Sequence, residues 1–392
     1  MARFFTRERF GIPQVIAVVF LLFFFAQCAW FVAHVPLTQV EGLYVMDGLA
    51  ELKRVPPMAA KFDEQSRSHL VAMLSVTGLI PEMMVRSEPA DPFYLDRRRW
   101  LIRAPFLFAG LLLGASLWYV SRRLCGNAAG YAAIALFAFS PGMVARSSLA
   151  GPELLGAWGT FGLIFTAIAT AHTLYAPRDV ILWNWRRILL LGASIALAAG
   201  AQWLLAVMLI PALLFMFWAV PHRRLAASII IFAACVIAAI LLDVSVLGRT
   251  SALMHSLSAS AQIIVRYSVH PTAQFFALLG RFLLDGAPSA AVGFTVALVT
   301  WLVWRRTRFF GNNAPLIVLA VLLVIAALLP QATGPAFFFY ALPFLIVFTA
   351  GVFADLLETR LREIPLALLF ALVVGQAVYS IAGLMRLYSG PR

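Results

Sequence analysis

The chain is a succession of apolar runs, each about 17 to 25 residues long, separated by polar turns in which arginine recurs. A run of that length crosses the ~30 Å hydrocarbon core of a bilayer as a helix. Hydrocarbon admits only helices or closed barrels, because every backbone N–H and C=O must find its partner inside the protein. The runs lack the two-residue alternation of barrel strands. The fold class read from them is therefore all-α, a polytopic transmembrane helical bundle. Apolar residues make up 62% of the 392 and charged residues 12%, about half the charged share of a soluble domain.

Apolar segments fall at residues 13–34, 100–121, 128–145, 154–175, 187–202, 204–220, 225–243, 288–304, 314–330, 335–355 and 364–386. They predict about eleven spans, with the break from Gly200 to Leu204 readable as a hairpin turn or as a kink. Basic residues gather in alternate connections: Arg122 and Arg123, Arg178 with Arg186 and Arg187, Arg223 and Arg224, Arg305, Arg306 and Arg308, Arg360 and Arg362. By the positive-inside rule these connections and the N-terminus, with Arg3, Arg7 and Arg9, are cytoplasmic. The first run lacks a small-x-small cleavage site and reads as a retained helix. Two long extracytoplasmic loops follow, at 35–99 and 243–287, with a short outer turn from Arg146 to Glu153.

The net charge of +13 is concentrated at span ends, which points to membrane lipid headgroups and away from nucleic acid. Cys28, Cys125 and Cys235 are too far apart for a disulfide framework or a metal motif and read as packing residues. No phosphate-binding glycine loop, dinucleotide turn or zinc-protease helix is present. The spans hold few ionisable groups, which argues against a proton-coupled transporter.

Chemistry is thus expected in the outer loops. In the first, Leu43, Met46, Leu49 and Ala50 recur at helical spacing, with Asp47, Glu51, Lys53 and Arg54 mostly opposite, which predicts an interfacial amphipathic helix. Further helices are expected at 69–84 and 272–284. Glu41 opens the first of these helices, where a glutamate serves either as a helix-start residue or as a general base. Glu153 after Pro152 has the same two readings, and either acid offers an oxygen ligand to a divalent cation. Arg98, Arg99, Arg103, Arg146, Arg249 and Arg266 serve as snorkelling anchors or as ligands for a phosphate. His270 is a further phosphate contact or a solvated loop histidine.

From Arg98 the chain reads RRWLIRAPFLFAG, then an Arg-rich turn ending in Gly126, an apolar helix ending Ser140-Pro141 and an outer turn with Glu153. This order, with the segment FFFYALPFLIVFTAGVF at 337–353 and Glu41 followed by Tyr44, resembles the polytopic GT-C glycosyltransferases. The resemblance is to the bacterial relatives of protein mannosyltransferases and of the aminoarabinose transferase of lipid A. The resemblance implies one GT-C-like membrane domain over 1–392 with no separate soluble C-terminal domain, placed in a bacterial inner membrane. It implies a polyprenyl-phosphate-linked sugar donor, inversion at the anomeric carbon, Glu41 as base and Tyr44 in the substrate site. Val40 stands where the family often has another acid, Val55-Pro56-Pro57-Met58 lacks the family's histidine, and a family lysine is missing near Gln202 and Trp203. These departures define an alternative: a non-catalytic GT-C-derived structural subunit of a larger membrane complex.

Overall fold

The computed structural model describes residues 11–53, 68–83, 94–174, 185–245, 273–304, 309–329, 334–360 and 362–389. Among these, every element is helical. The chain runs α1 (Ile12–His34), α2 (Gln39–Lys53), α3 (His69–Thr77), α4 (Ile80–Met83), α5 (Tyr94–Arg97) and α6 (Arg99–Cys125). It continues through α7 (Asn127–Ala138), α8 (Pro141–Ser147), α9 (Pro152–Thr173), α10 (Trp185–Ala201) and, after a 3-10 turn at Trp203–Met208, α11 (Leu209–Ala219). The rest is α12 (Arg224–Ser245), α13 (Ala273–Gly286), α14 (Pro288–Val303), α15 (Ala314–Leu328), α16 (Gly334–Leu357) and α17 (Glu363–Ser389).

Each of the eleven apolar segments is helical, but they are not eleven equal spans. Seven helices among the described residues are long and apolar enough to cross a bilayer, and up to nine if each bent pair counts as one span. The chain is a multi-pass membrane protein. The difference comes from short and broken segments: α10 has 17 residues, ~25 Å of helix against ~30 Å of hydrocarbon. The 3-10 turn and α11 form only a shorter apolar helix after the Gln202 break. The pair α7 and α8 bends by 66°, and α13 and α14 by 116°.

Helix ends follow local chemistry. Proline opens α8, α9 and α14, where a missing N–H costs no helical hydrogen bond. The α6–α7 corner turns at Gly126 with φ of +88°, a conformation that disfavours any side chain. Arg122 and Arg123 stand in the last turn of α6, favourable to the helix dipole.

The centre of the bundle is α16, whose 18-residue span window is 94% buried; the corresponding figures for α1 and α17 are 28% and 22%. Its phenylalanines pack against α9, α13 and α14 through ring pairs such as Phe344 with Phe161 and Phe348 with Phe294. Polar bonds lock the peripheral α17 in place. Gln376 donates to the Leu136 carbonyl (2.8 Å) and accepts from Ala290 N–H (3.1 Å), and Ser380 donates to Gln27 (2.7 Å), which donates to the Ala138 carbonyl (2.9 Å). In hydrocarbon such groups have no solvent alternative.

The amphipathic helix expected in the first loop is present as α2. Glu41, Tyr44, Val45, Asp47, Gly48 and Glu51 are buried, Met46 is exposed, and Leu43, Leu49 and Ala50 are half-buried. Its acids thus point into the protein together with Tyr44 and Val45, while Val40 and Met46 face outward. The helix expected over 69–84 divides at Gly78 into α3 and α4, and that expected over 272–284 is α13.

Candidate functional site

One end of the bundle gathers α2, the start of α6, the α8–α9 turn, the Gly200–Gln202 break and the start of α16. Arginines mark a different end: Arg187 lies within electrostatic reach of Arg123 and donates to the Ala169 carbonyl, and Arg223 donates to the Leu174 carbonyl.

Thr38, Gln39, Val40 and Glu41 form a capping box. Glu41 N–H donates to Thr38 Oγ1 (3.2 Å), and Thr38 N–H donates back to Glu41 Oε2 (2.9 Å). Glu41 then meets Arg103, which is fully buried, in a two-pronged pair: Nε to Oε1 at 2.8 Å and Nη2 to Oε2 at 2.7 Å. Arg103 also donates to the Val35 and Pro36 carbonyls, both at 2.8 Å, and so clamps the α1–α2 connection. Ala150 N–H, from the α8–α9 turn, donates to Oε1 at 2.9 Å. Thr38 Oγ1 adds a bond to Oε2 at 3.0 Å.

Five donors therefore fill a carboxylate that offers about four lone-pair sites. Burial alone would push the Glu41 carboxyl up, but the Arg103 and Ala150 hydrogen bonds and the Arg103 charge outweigh it and hold the group below the usual range. A general base needs an open lone pair aimed at the proton it takes. Glu41 is placed as an anchor for α2, the helix-start role of the two that the sequence leaves open. For the same reason it does not fit as a metal ligand: the Arg103 cation already occupies that position.

The arginines divide in the same way. Arg99 donates to the Ala33 carbonyl (2.6 Å) and stands 3.9 Å from Asp96, which accepts from Leu37 N–H (3.0 Å). Arg99 and Arg103 are thus engaged with the protein's own connection, the anchoring role of the two that the sequence leaves open. Arg98 caps α6 and is half-buried. Arg249, Arg266 and His270 lie outside the described residues.

Arg146 and Glu153 remain accessible. Their side chains pair at 2.7 Å across the α8–α9 turn and are 49% and 20% exposed. The Glu153 charge reaches the Tyr44 hydroxyl, which is pushed up by burial and further by Glu153 and Asp47. Tyr340 on α16 feels Glu153, Tyr44 and Arg146 and donates to Gln202 Oε1 at 2.9 Å. Glu153, Arg146, Tyr44, Tyr340 and Gln202 thus share one polar region, bounded on one side by the Glu41–Arg103 anchor. Sequence reading missed Thr38, although Thr-x-x-Glu is its signal. It also missed the role of Tyr340, which no local signal carries.

The profile of a family described as dolichyl-phosphate-mannose-protein mannosyltransferase matches residues 94–247, the stretch from α5 through α12. A sequence search of curated proteins finds no match. Among solved structures, the oligosaccharyltransferase AglB from Archaeoglobus fulgidus, in complex with an inhibitory peptide and a dolichol-phosphate, aligns with a TM-score of 0.61 at 13% identity. That alignment covers 95% of this chain and 56% of AglB, so the chain spans little more than half the length of that relative. ArnT from Cupriavidus metallidurans, bound to undecaprenyl phosphate, aligns with a TM-score of 0.61 at 14% identity, covering 96% of this chain and 71% of ArnT. With the helix arrangement described above, these matches show that the chain has a helical fold of the GT-C type, shared with AglB and ArnT.

Proposed function

We propose that this chain is an integral membrane glycosyltransferase of a bacterial inner membrane. It takes a sugar from a polyprenyl-phosphate-linked donor and delivers it, with inversion, to an extracytoplasmic lipid, glycan or protein. The observation that carries the reading is the accessible Arg146–Glu153 pair, within electrostatic reach of the buried Tyr44 and Tyr340 hydroxyls. The fold shared with ArnT bound to undecaprenyl phosphate supports it.

In this reading an acceptor oxygen attacks the anomeric carbon as the bond from that carbon to the phosphate oxygen breaks. The phosphate leaves with the bonding electrons, and its charge is met by Arg146, with Arg98 as a further phosphate contact. Glu153 accepts the acceptor's proton. Tyr44 and Tyr340, buried behind the pair, support it from within the protein, and Glu41 with Arg103 holds α2 against the α8–α9 turn. The test is transfer of radiolabelled sugar from a polyprenyl phosphate by the purified chain in liposomes.

A second reading, a non-catalytic structural subunit of a membrane complex, is favoured by one specific observation. Val40, 55% exposed, stands beside the sealed Glu41, so the start of α2 presents no open carboxylate. Polyprenyl phosphate binding without transfer, together with a copurifying partner in fixed ratio, would select that reading.

A further inference from the structure

We propose that Asp47, Glu51 and His69 form a zinc site that ties α2 to α3. Asp47 and Glu51 are one turn apart on the inward face of α2, and His69 is the first residue of α3. One ligand atom from each lies within 4.8 Å of the others.

Two features of the fold hold the three side chains together. Gly48 lies between the acids, and a Cβ there would come 2.3 Å from the Ala72 carbonyl oxygen, so the backbones of α2 and α3 touch. Ser68 caps α3 by accepting from Val71 N–H (3.2 Å) and donates to the Gly200 carbonyl (2.7 Å), which fixes the backbone next to His69.

The observation that points to an ion is Glu51 itself. Its residue is 7% exposed, Oε1 meets His69 Nδ1, and Oε2 is buried with no hydrogen-bond partner among the described residues. An unpaired buried carboxylate oxygen is costly, about 1–3 kcal/mol or more, and one explanation for it is a bound cation. The donor set selects which cation. Imidazole nitrogen disfavours magnesium and calcium, which prefer oxygen shells. One imidazole and two carboxylates suit zinc, whose three-ligand sites keep a fourth position open. Bringing the three atoms to zinc-ligand spacing asks for side-chain movements on the order of 1 Å. The site uses neither Arg146 nor Glu153 and does not depend on sugar transfer.

The test uses the full chain in detergent, stripped with chelator and then dialysed against Zn2+, Mg2+ or Ca2+. We expect about one zinc per chain by mass spectrometry, no comparable retention of magnesium or calcium, and a rise in Tm of about 5 °C with zinc. Glu51→Gln and His69→Gln should each lose the zinc and the Tm rise, whereas His34→Gln should keep both. X-ray absorption of the zinc-loaded wild type should show a shell of nitrogen and oxygen with imidazole scattering, a readout that needs no variant to fold. Zinc retention by both variants, retention below about one-fifth of an equivalent by the wild type, or an absorption shell without imidazole would overturn the proposal. Failure of the glycosyltransferase assay alone would leave these results unchanged.

Discussion

Arg103 donates twice to Glu41, at 2.8 and 2.7 Å, from a position 62 residues further along the chain and wholly out of contact with solvent. The pair joins three segments, because Arg103 also holds the Val35 and Pro36 carbonyls and Glu41 holds Ala150 N–H. Removing one partner leaves a buried charge uncompensated. Arg103→Ala and Glu41→Ala should each lower stability by about 3–5 kcal/mol. Arg103→Lys should recover only part of this, since an ammonium cannot reproduce the two-pronged contact. Thermal unfolding in detergent measures it; a loss under about 1 kcal/mol for Arg103→Ala would contradict the anchor role.

The same pair predicts a pH dependence. The Glu41 carboxyl is held below its unfolded value of about 4.3. In that window the unfolded chain binds more protons, so stability rises with pH. The contribution is complete above the unfolded value and is lost as pH falls through the folded one. Wild type should therefore be more stable than Glu41→Gln at neutral pH, with the gap narrowing below about pH 5. A gap that stays constant from pH 6 to pH 3 would remove Glu41 as its source.

Gly48→Ala places a methyl group 2.3 Å from the Ala72 carbonyl oxygen, in a contact where backbone must move. It should cost about 1–3 kcal/mol and open the distance between Glu51 and His69. Unfolding measurements with and without zinc report both effects, since the variant should be less stable and gain less from the metal.

Gln376 bridges α17 to α7 and α14 through the Leu136 carbonyl and Ala290 N–H. Gln376→Leu should destabilise by about 1–2 kcal/mol, because hydrocarbon supplies no substitute partner. Cysteine crosslinking between α17 and α7 should become slower in the variant; unchanged crosslinking and unchanged Tm would show the bridge to be dispensable.

The apolar runs showed where helices lie because 3.6-residue packing and bilayer thickness both act locally on the sequence. Span count was harder, since α10 and the α7–α8 corner are apolar enough to look like crossings while being too short or too bent. The existence of α2 was legible, but which residues it buries was not: Glu41, Asp47 and Glu51 are buried together with Tyr44 and Val45, which no local pattern marks. Glu41 and Glu153 stood out as isolated outer acids, yet only the fold distinguishes them: one is filled by Arg103, Ala150 and Thr38, and the other stays accessible beside Arg146. Long-range pairs such as Tyr340 with Gln202, 138 residues apart, carry no local signal.

The most direct measurement of the proposed function is single-turnover transfer of radiolabelled sugar from a polyprenyl phosphate, comparing wild type with Glu153→Gln in liposomes at neutral pH. Removing the proton acceptor should slow transfer by about 10²- to 10⁴-fold while leaving the fold, read by Tm, nearly unchanged. Transfer by Glu153→Gln at the wild-type rate would contradict the assignment of the reacting site to the Arg146–Glu153 pair.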